Sequence, residues 1–337
     1  MDTARNPRKD RQDRGDGGGC RMDAIFVGRE AELDHLDALV RRADTQRPTA
    51  KQAPAVALVE APAGVGKSAV LDRFIDRTRD ALVVRVSGDE AESAIAFGVY
   101  DQLLARLTAD GRTGPARTER RPTSAGVRGD LQATGDALRD RLHAAGAGRR
   151  CVVLVVDDAH FADRPSLTAI GYALRRMPDE PIVTVLASRP EGTVGLPQGL
   201  LTMIDTGGLR LDLHPLSVEE VRELAGLYGH RDVNERAARR LREHTGGNPL
   251  HLRALLQDGR IPGGGWLSAP LPAPRPFARL VAARLERLTP PARGLARAAA
   301  VLGLRCDLCA AAEMAGVADP LAAADELRTA QIAGLER

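Results

Sequence analysis

The sequence predicts an α/β fold, with a five-stranded parallel sheet carrying helices on both faces and an all-helical region after it. Three observations predict it. Near-continuous apolar runs at Val56–Glu60, Cys151–Asp157 and Ile182–Ser188 have the look of strands covered on both faces. Helix-period patterns lie between the apolar runs, and this alternation argues for a doubly wound sheet. Beyond Pro215 the strand signals fade and only helical patterns remain.

In chain order, residues 1–23 are charged and Gly-rich, a composition expected to stay disordered. Leu33, Leu36, Leu39 and Val40 recur at helical spacing and predict a helix over Glu30–Arg42, with a polar linker over Ala43–Pro54. The predicted strands are Val56–Glu60, Leu82–Ser87, Cys151–Asp157, Ile182–Ser188 and Leu209–Leu213. The helices between them are Lys67–Arg79, Phe97–Leu107, Leu131–Ala145 and Ser166–Arg176, and Gly111–Gly129 reads as a surface loop. Val218–Tyr228, Glu235–His244 and Leu250–Gln257 read as helices, followed by a Pro- and Gly-rich linker over Ile261–Pro276. Phe277, Leu280, Val281, Leu285 and Leu288 form a further helical stripe, and Pro291–Leu302 and Pro320–Ala330 look helical too. The expected division is a tail over 1–23, a core over 24–214, a helical lid over 215–260, a linker over 261–276 and a small helical unit over 277–337.

Composition narrows the function classes. The chain has 337 residues, 43% of them hydrophobic, so sizeable cores are available; aromatics are only 3%, so Ala, Val and Leu must build them. A net charge of +3, with basic residues spread along the chain, does not announce a polyanion partner. The start is polar and lacks the apolar stretch of a secretory signal, and no apolar run nears the ~20 residues of a membrane span. Cys20, Cys151, Cys306 and Cys309 are too few and scattered for a disulfide framework, so the protein reads as cytoplasmic and reduced.

The first strand runs into Ala61-Pro62-Ala63-Gly64-Val65-Gly66-Lys67-Ser68, and a helix follows. Strand, Gly-rich loop and helix in that order are the setting of a phosphate-binding P-loop. Gly64 and Gly66 let the backbone fold around a phosphate, with N–H groups turned inward at a helix N-terminus. Ala63, Val65 and Ala69 complete the stretch around the phosphates. Lys67 reaches the β- and γ-phosphates, and the Ser68 hydroxyl is the expected Mg²⁺ ligand. Lys67 is one of only three lysines in an Arg-rich chain, and a point charge on a flexible stem suits that reach. The pattern departs from G-x-x-x-x-G-K-[ST] at Ala61. The alternative is an ordinary Gly-rich turn before a helix.

The apolar strand ending in Asp157-Asp158-Ala159-His160 resembles a Walker B element. Asp157 is the expected partner of Mg²⁺ through water, and Asp158 the group that orients or deprotonates the attacking water. A cap on the next helix is the better reading for Asp163. The strand ending in Ser188-Arg189-Pro190 delivers Arg189 to the same edge, where it could sense a γ-phosphate.

Taken together, Phe26-Val27-Gly28-Arg29-Glu30, the P-loop, Val155–Asp163, Ala187–Pro190, Leu213–Ser217 and Thr245-Gly246-Gly247-Asn248-Pro249-Leu250 occur in an order that resembles the STAND branch of AAA-like P-loop ATPases. More narrowly, the chain looks like the ATPase region of the large ATP-binding LuxR-family transcriptional regulators of actinobacteria, and Glu92–Gly98 also fits that pattern. The resemblance implies an AAA-like core, a helical lid and a small winged-helix-like domain. It implies that Val27, Gly28 and Arg29 lie over the adenine and that Pro249 packs near the base, coupling the lid to nucleotide state; the plainer alternatives are a helix lead-in and a helix stop. Phe161 stands where the family more often has Trp. Family members usually continue to a C-terminal helix-turn-helix domain, which 337 residues do not accommodate, so the chain is expected to be a fragment or a short homologue that does not itself bind DNA.

The function expected on this reading is a slow ATP-hydrolysing signalling switch with ATP or ADP and Mg²⁺ as ligands. Its partners would be an unidentified inducer or regulatory protein and, in the ATP state, further copies of itself. A DNA-handling ATPase of the replication-loader kind and a non-hydrolysing nucleotide-binding scaffold are the alternatives. Cys306-x-x-Cys309 lacks a second ligand pair and reads as small apolar residues at a helix start. His160 reads as a structural hydrogen-bonding residue, with a place near the nucleotide as the alternative.

Overall fold

A computed structural model of the chain describes residues 25–45, 55–78, 80–109, 127–148, 151–257, 271, 275–303, 306–330 and 332–333. The tail over 1–23, most of the Gly111–Gly129 loop and most of the 261–276 linker lie outside the described residues. Five strands, β1 (Ala55–Glu60), β2 (Leu82–Ser87), β3 (Val152–Asp157), β4 (Ile182–Ser188) and β5 (Leu209–Asp212), form one sheet in the order β2-β3-β4-β1-β5. All neighbours are parallel. Each expected strand is present within a residue of its expected ends.

Side chains alternate between the faces of the sheet, as the period of two requires. Val56, Leu58, Val84, Leu154, Val156, Ile182 and Leu186 face α3 (Gly98–Ala109), α4 (Val127–Gly146), α5 (Arg164–Arg175) and α7 (Gln198–Gly207). Ala57, Val59, Val153, Val155, Val183 and Val185 face α1 (Glu30–Thr45) and α2 (Lys67–Arg77). Every residue of β3 and β4 is buried, which accounts for their unbroken apolar runs. Small aliphatic residues supply most of the two clusters, with Phe74, Phe97 and Tyr100 as aromatic members. Fully burying one such Val or Leu is worth about 1.5–3 kcal/mol.

Some elements differ from expectation. Helix α3 begins at Gly98 because Phe97 has φ 67°, a left-handed backbone that cannot open a helix. Helix α7 is not among the expected helices; Gly195 and Pro197 precede it and Gly199 lies in its first turn, and its short stripe is Leu200, Met203 and Ile204, all buried. A short helix α6 (Pro190–Thr193) follows β4, and a single 3₁₀ turn covers Ala159–Phe161.

After β5 come α8 (Val218–Leu227), α9 (Glu235–Thr245) and α10 (Pro249–Gln257), three helices in the span where a lid is expected. Its core includes Val221, Leu224, Leu241, Leu252 and Leu255, together with Val27 and Leu216 from outside the three helices. A capping box fixes the start of α8: Ser217 Oγ accepts from the Glu220 N–H, and Glu220 accepts from the Ser217 N–H at 2.7 Å. The last unit holds α11 (Arg275–Glu286), α12 (Pro290–Leu302), α13 (Leu308–Ala315) and α14 (Pro320–Thr329). Among the described residues it contains no strand. Its core is Ala-rich, around Leu288, Leu295 and Leu327. Cys306 and Cys309 flank the first turn of α13 as expected at a helix start, but both are exposed rather than packed. No described helix is long and apolar enough to cross a membrane.

Candidate functional site

Parallel strands send their carboxyl ends to one edge of the sheet, and that edge is where an open α/β sheet forms its crevice. Glu60 of β1 lies beside Ser188 of β4, and the Ala61 N–H donates to the Ser188 carbonyl at 3.3 Å. The Gly-rich loop, Asp157–Asp158 and Ser188–Arg189 therefore share this edge. The lid stands opposite.

Between them is a cavity of about 390 Å³ lined by Ala63, Gly64, Gly66, Lys67, Ser68 and Ala69 from the loop and the start of α2. Asp158 and Arg189 line it from the strand ends; Leu224, Tyr228, Pro249, Leu250 and Arg253 line it from the lid. A smaller apolar cavity of about 70 Å³ adjoins it, lined by Val27, Arg29, Val65, Gly66, Ala69, Leu216, Leu224 and Pro249 among others. Ile25, Gly66, Ala69, Leu224 and Pro249 belong to both.

The loop has the backbone the sequence predicts. Gly64 has φ 80° and Gly66 φ 111°, a region open to glycine and strained for other residues. Gly66 caps α2 without any side-chain bond, so the first amides of the helix stay available. Ala61 is not among the positive-φ residues, which is why a residue other than Gly is tolerated there. Lys67 is 7% exposed, and its ammonium donates to the carbonyls of Ala61 at 2.7 Å and Pro62 at 3.3 Å. An ammonium has three donors, so one remains for a ligand. Burial lowers the Lys67 pKa, with Asp158 opposing the shift and Arg189 adding to it.

The two acids separate into different settings. Asp158 lines the cavity and has φ 45°, an unusual backbone for a non-glycine residue. Asp157 is buried and does not line the cavity. Its Oδ2 accepts from Arg85 at 2.7 Å and its Oδ1 from the Asp158 N–H at 3.0 Å. Arg85 also pairs with Asp72 of α2. Burial works against the charge on Arg85, but its hydrogen bonds to Asp157 and Asp72 outweigh that and raise its pKa.

The His160 side chain is 6% exposed, packs against Phe161 at 4.1 Å between ring centroids with the rings tilted by 40°, and has its Nε2 3.9 Å from Asp158 Oδ1. Neither ring nitrogen has a hydrogen-bond partner, so the structural hydrogen bond expected for it is absent. Burial, followed by Arg189, lowers its pKa. The Arg189 guanidinium lies 5.3 Å from the Phe161 ring centroid.

Asp163 is more than the helix cap the sequence predicts. Its carboxylate caps α5 through the Ser166 N–H at 2.9 Å, and it also accepts from the Phe97 N–H at 2.8 Å, the Val99 N–H at 3.1 Å and the Ser166 hydroxyl at 2.7 Å.

Of the anticipated site residues, Gly28 and Asp157 line neither cavity. Gly28 has φ 67° and lies so close to Glu220 that a Cβ would overlap its carboxylate, which ties this segment to the lid. Arg29 donates to Glu32 at 3.1 Å and to the His214 carbonyl. Sequence reasoning missed Ile25, Leu224, Tyr228, Leu250 and Arg253. Arg253 stands one helical turn after Pro249, a spacing that could have flagged it once Pro249 was singled out.

The donors around the cavity are oxygens, as a hard cation such as Mg²⁺ prefers. Ser68 and Asp158 both line it, whereas Asp157 does not and has both oxygens engaged. That set fits a metal held by Ser68 and a ligand's own oxygens; Asp157, whose two oxygens are taken by Arg85 and the Asp158 N–H, is not among the lining residues.

Residues 25–185 match the family model described as AAA ATPase domain. The ORC2 protein of Aeropyrum pernix, in its ADPNP and ADP complexes, has a TM-score of 0.50 at 14% identity, over 87% of this chain and 81% of that one. A Walker-type ATPase of Pyrococcus abyssi has a TM-score of 0.49 at 16% identity, covering 90% and 89%. The Thermotoga maritima RuvB Holliday junction branch migration motor has 0.43 at 18% identity, covering 90% and 88%. At 14% identity the likeness to the ORC2 protein concerns the fold alone. The chain matches no curated protein. Residues 25–185 are thus similar in sequence to AAA ATPase domains, on a five-stranded core with a P-loop NTPase-like fold.

Proposed function

We propose that the chain is an ATP-binding switch module of a signalling regulator, slowly hydrolysing and of the STAND type, in which nucleotide governs the relation between core and lid. The observation that carries this reading is the cavity of about 390 Å³ lined on one side by Gly64, Gly66, Lys67, Ser68, Asp158 and Arg189 and on the other by Tyr228, Pro249, Leu250 and Arg253. A ligand filling it touches both bodies at once. It can therefore bias their arrangement by as much as it prefers one arrangement over the other.

On this reading the amides at the start of α2 bind the β-phosphate, and Lys67 places its remaining donor on the β- and γ-oxygens. Approach of the phosphates restores the favourable surroundings that burial takes from its ammonium. Bound Mg²⁺ would supply charge neutralisation between the phosphates, held by Ser68 and, through water, Asp157. Asp158 orients the attacking water, and Arg189 meets charge on the γ-phosphate. The small apolar cavity beside Val27, Val65, Leu216 and Pro249 receives part of the base. Hydrolysis resets an open, self-associating form to a closed, ADP-bound one.

The test is titration with ATP and ADP, followed by phosphate release in the unaltered protein and in Asp158→Asn. Tight nucleotide binding by both, with phosphate release only by the unaltered protein, supports a hydrolysing switch. Equal release by both removes Asp158 from the reaction.

A further inference from the structure

The turn that joins α9 to α10 reaches across to the phosphate loop. Asn248 Nδ2 donates to the Ala63 carbonyl at 2.9 Å. Asn248 Oδ1 accepts from the Leu250 N–H at 3.0 Å, and the same N–H reaches the Gly64 carbonyl at 3.3 Å. Two successive carbonyls of the loop are thus held by two donors of the lid. The amide fits in one orientation only. Turned over, it would set oxygen against the Ala63 carbonyl and NH₂ against the Leu250 N–H.

The turn presenting Asn248 is itself fixed. Gly246 and Gly247 have φ 63° and 67°. The Gly247 carbonyl accepts from the Leu216 N–H at 2.8 Å, and Arg242 Nε donates to the Leu216 carbonyl at 3.0 Å. Contact with the loop is equally close, since a Cβ on Gly64 would lie 2.7 Å from Asn248 Oδ1.

A trans peptide points its C=O and its N–H in opposite directions. Holding the Ala63 carbonyl toward the lid turns the Gly64 N–H away from it, and holding the Gly64 carbonyl does the same for the Val65 N–H. Those amides are the ones a phosphate-binding loop must aim at its anion. We propose that Asn248 is a positioning residue that sets the peptides between Ala63 and Val65 for anion binding, so that the lid's position governs affinity for a nucleoside diphosphate or triphosphate. This rests on the reading of the loop as a phosphate site.

Capping of α10 alone would need only the Asn248 oxygen, which Asp supplies equally well. Asn248→Asp keeps that oxygen and replaces the donor with a second oxygen facing the Ala63 carbonyl. Asn248→Ala removes both. The experiment titrates the full chain with ADP and follows hydrogen exchange of the Gly64–Gly66 amides without nucleotide. Expected are roughly tenfold weaker ADP binding for Asn248→Ala, about 1.4 kcal/mol, a greater loss for Asn248→Asp, and faster exchange in both.

Asp at the native level with Ala impaired assigns Asn248 to helix capping and overturns the proposal. Native affinity and native exchange in both variants also overturn it while leaving the phosphate site standing. Absence of ADP binding by the unaltered protein removes the phosphate site and this proposal with it. Thermal unfolding of each variant separates these outcomes from loss of fold.

Discussion

Replacing Arg85 by Met isolates the pair that holds Asp157. Arg85 lies on β2 beside Val155 of β3, and its Nη2 meets Asp157 Oδ2 at 2.7 Å. The Asp157 side chain is 7% exposed and that of Arg85 32%. Deleting the guanidinium leaves a nearly dry carboxylate with one backbone donor, the Asp158 N–H. A hydrogen bond to a charged group is worth about 1.5–3 kcal/mol. The partial exposure of Arg85 screens the charge and puts the expected cost near the lower end, about 2 kcal/mol. For a domain of this size that lowers Tm by roughly 4–8 °C. Thermal and urea unfolding of Arg85→Met measure it. In the Asp157→Asn background the same replacement should cost under about 0.5 kcal/mol, because no buried charge is left unpaired. Mg²⁺ with nucleotide should stabilise Arg85→Met more than the unaltered protein, since it supplies Asp157 with a positive partner. Equal cost in both backgrounds would refute the reasoning.

Three further outcomes follow from the geometry. Asp163→Ala strands the buried N–H groups of Phe97, Val99 and Ser166; at about 1–3 kcal/mol for each unsatisfied group, the loss should exceed ~3 kcal/mol in denaturant unfolding. Gly28→Ala meets both a left-handed φ of 67° and the Glu220 carboxylate, so a loss of about 1–2 kcal/mol is expected, together with weaker nucleotide binding when titrated. His160 has a lowered pKa in the fold. The unfolded chain then binds the proton first, so stability present above an ordinary His pKa of about 6.5 declines as pH falls through the window down to the folded value. His160→Gln should flatten that acid-side decline in Tm, and an unchanged profile would remove His160 from it.

The sheet was legible because β1, β3 and β4 are buried on both faces, and such strands write themselves as unbroken apolar runs. The turn of the Gly-rich loop was legible for a local reason: Gly64 and Gly66 take positive φ, and Lys67 follows at once. Helix α7 escaped notice because its stripe of Leu200, Met203 and Ile204 is short and preceded by Gly and Pro. The engagement of Asp157 by Arg85 was invisible because it depends on strand register across 72 residues of sequence. The lid's share of the cavity, Tyr228 and Arg253 above all, depends on how two bodies meet, and no local pattern encodes that. Asn248 carried a plain helix-stop signature, and only the placement of α10 beside the loop gave its amide a partner on the other body.

The central claim is that the loop from Ala63 to Ser68 encloses the phosphates of a nucleotide. Release of bound small molecules from the purified, denatured protein, analysed by chromatography beside Lys67→Ala, tests it directly. ADP or ATP recovered from the unaltered protein, and little or none from an equally folded Lys67→Ala, is the predicted result. The same nucleotide content in both proteins, or no nucleotide bound by the unaltered protein even after saturation with ATP and Mg²⁺, would contradict it.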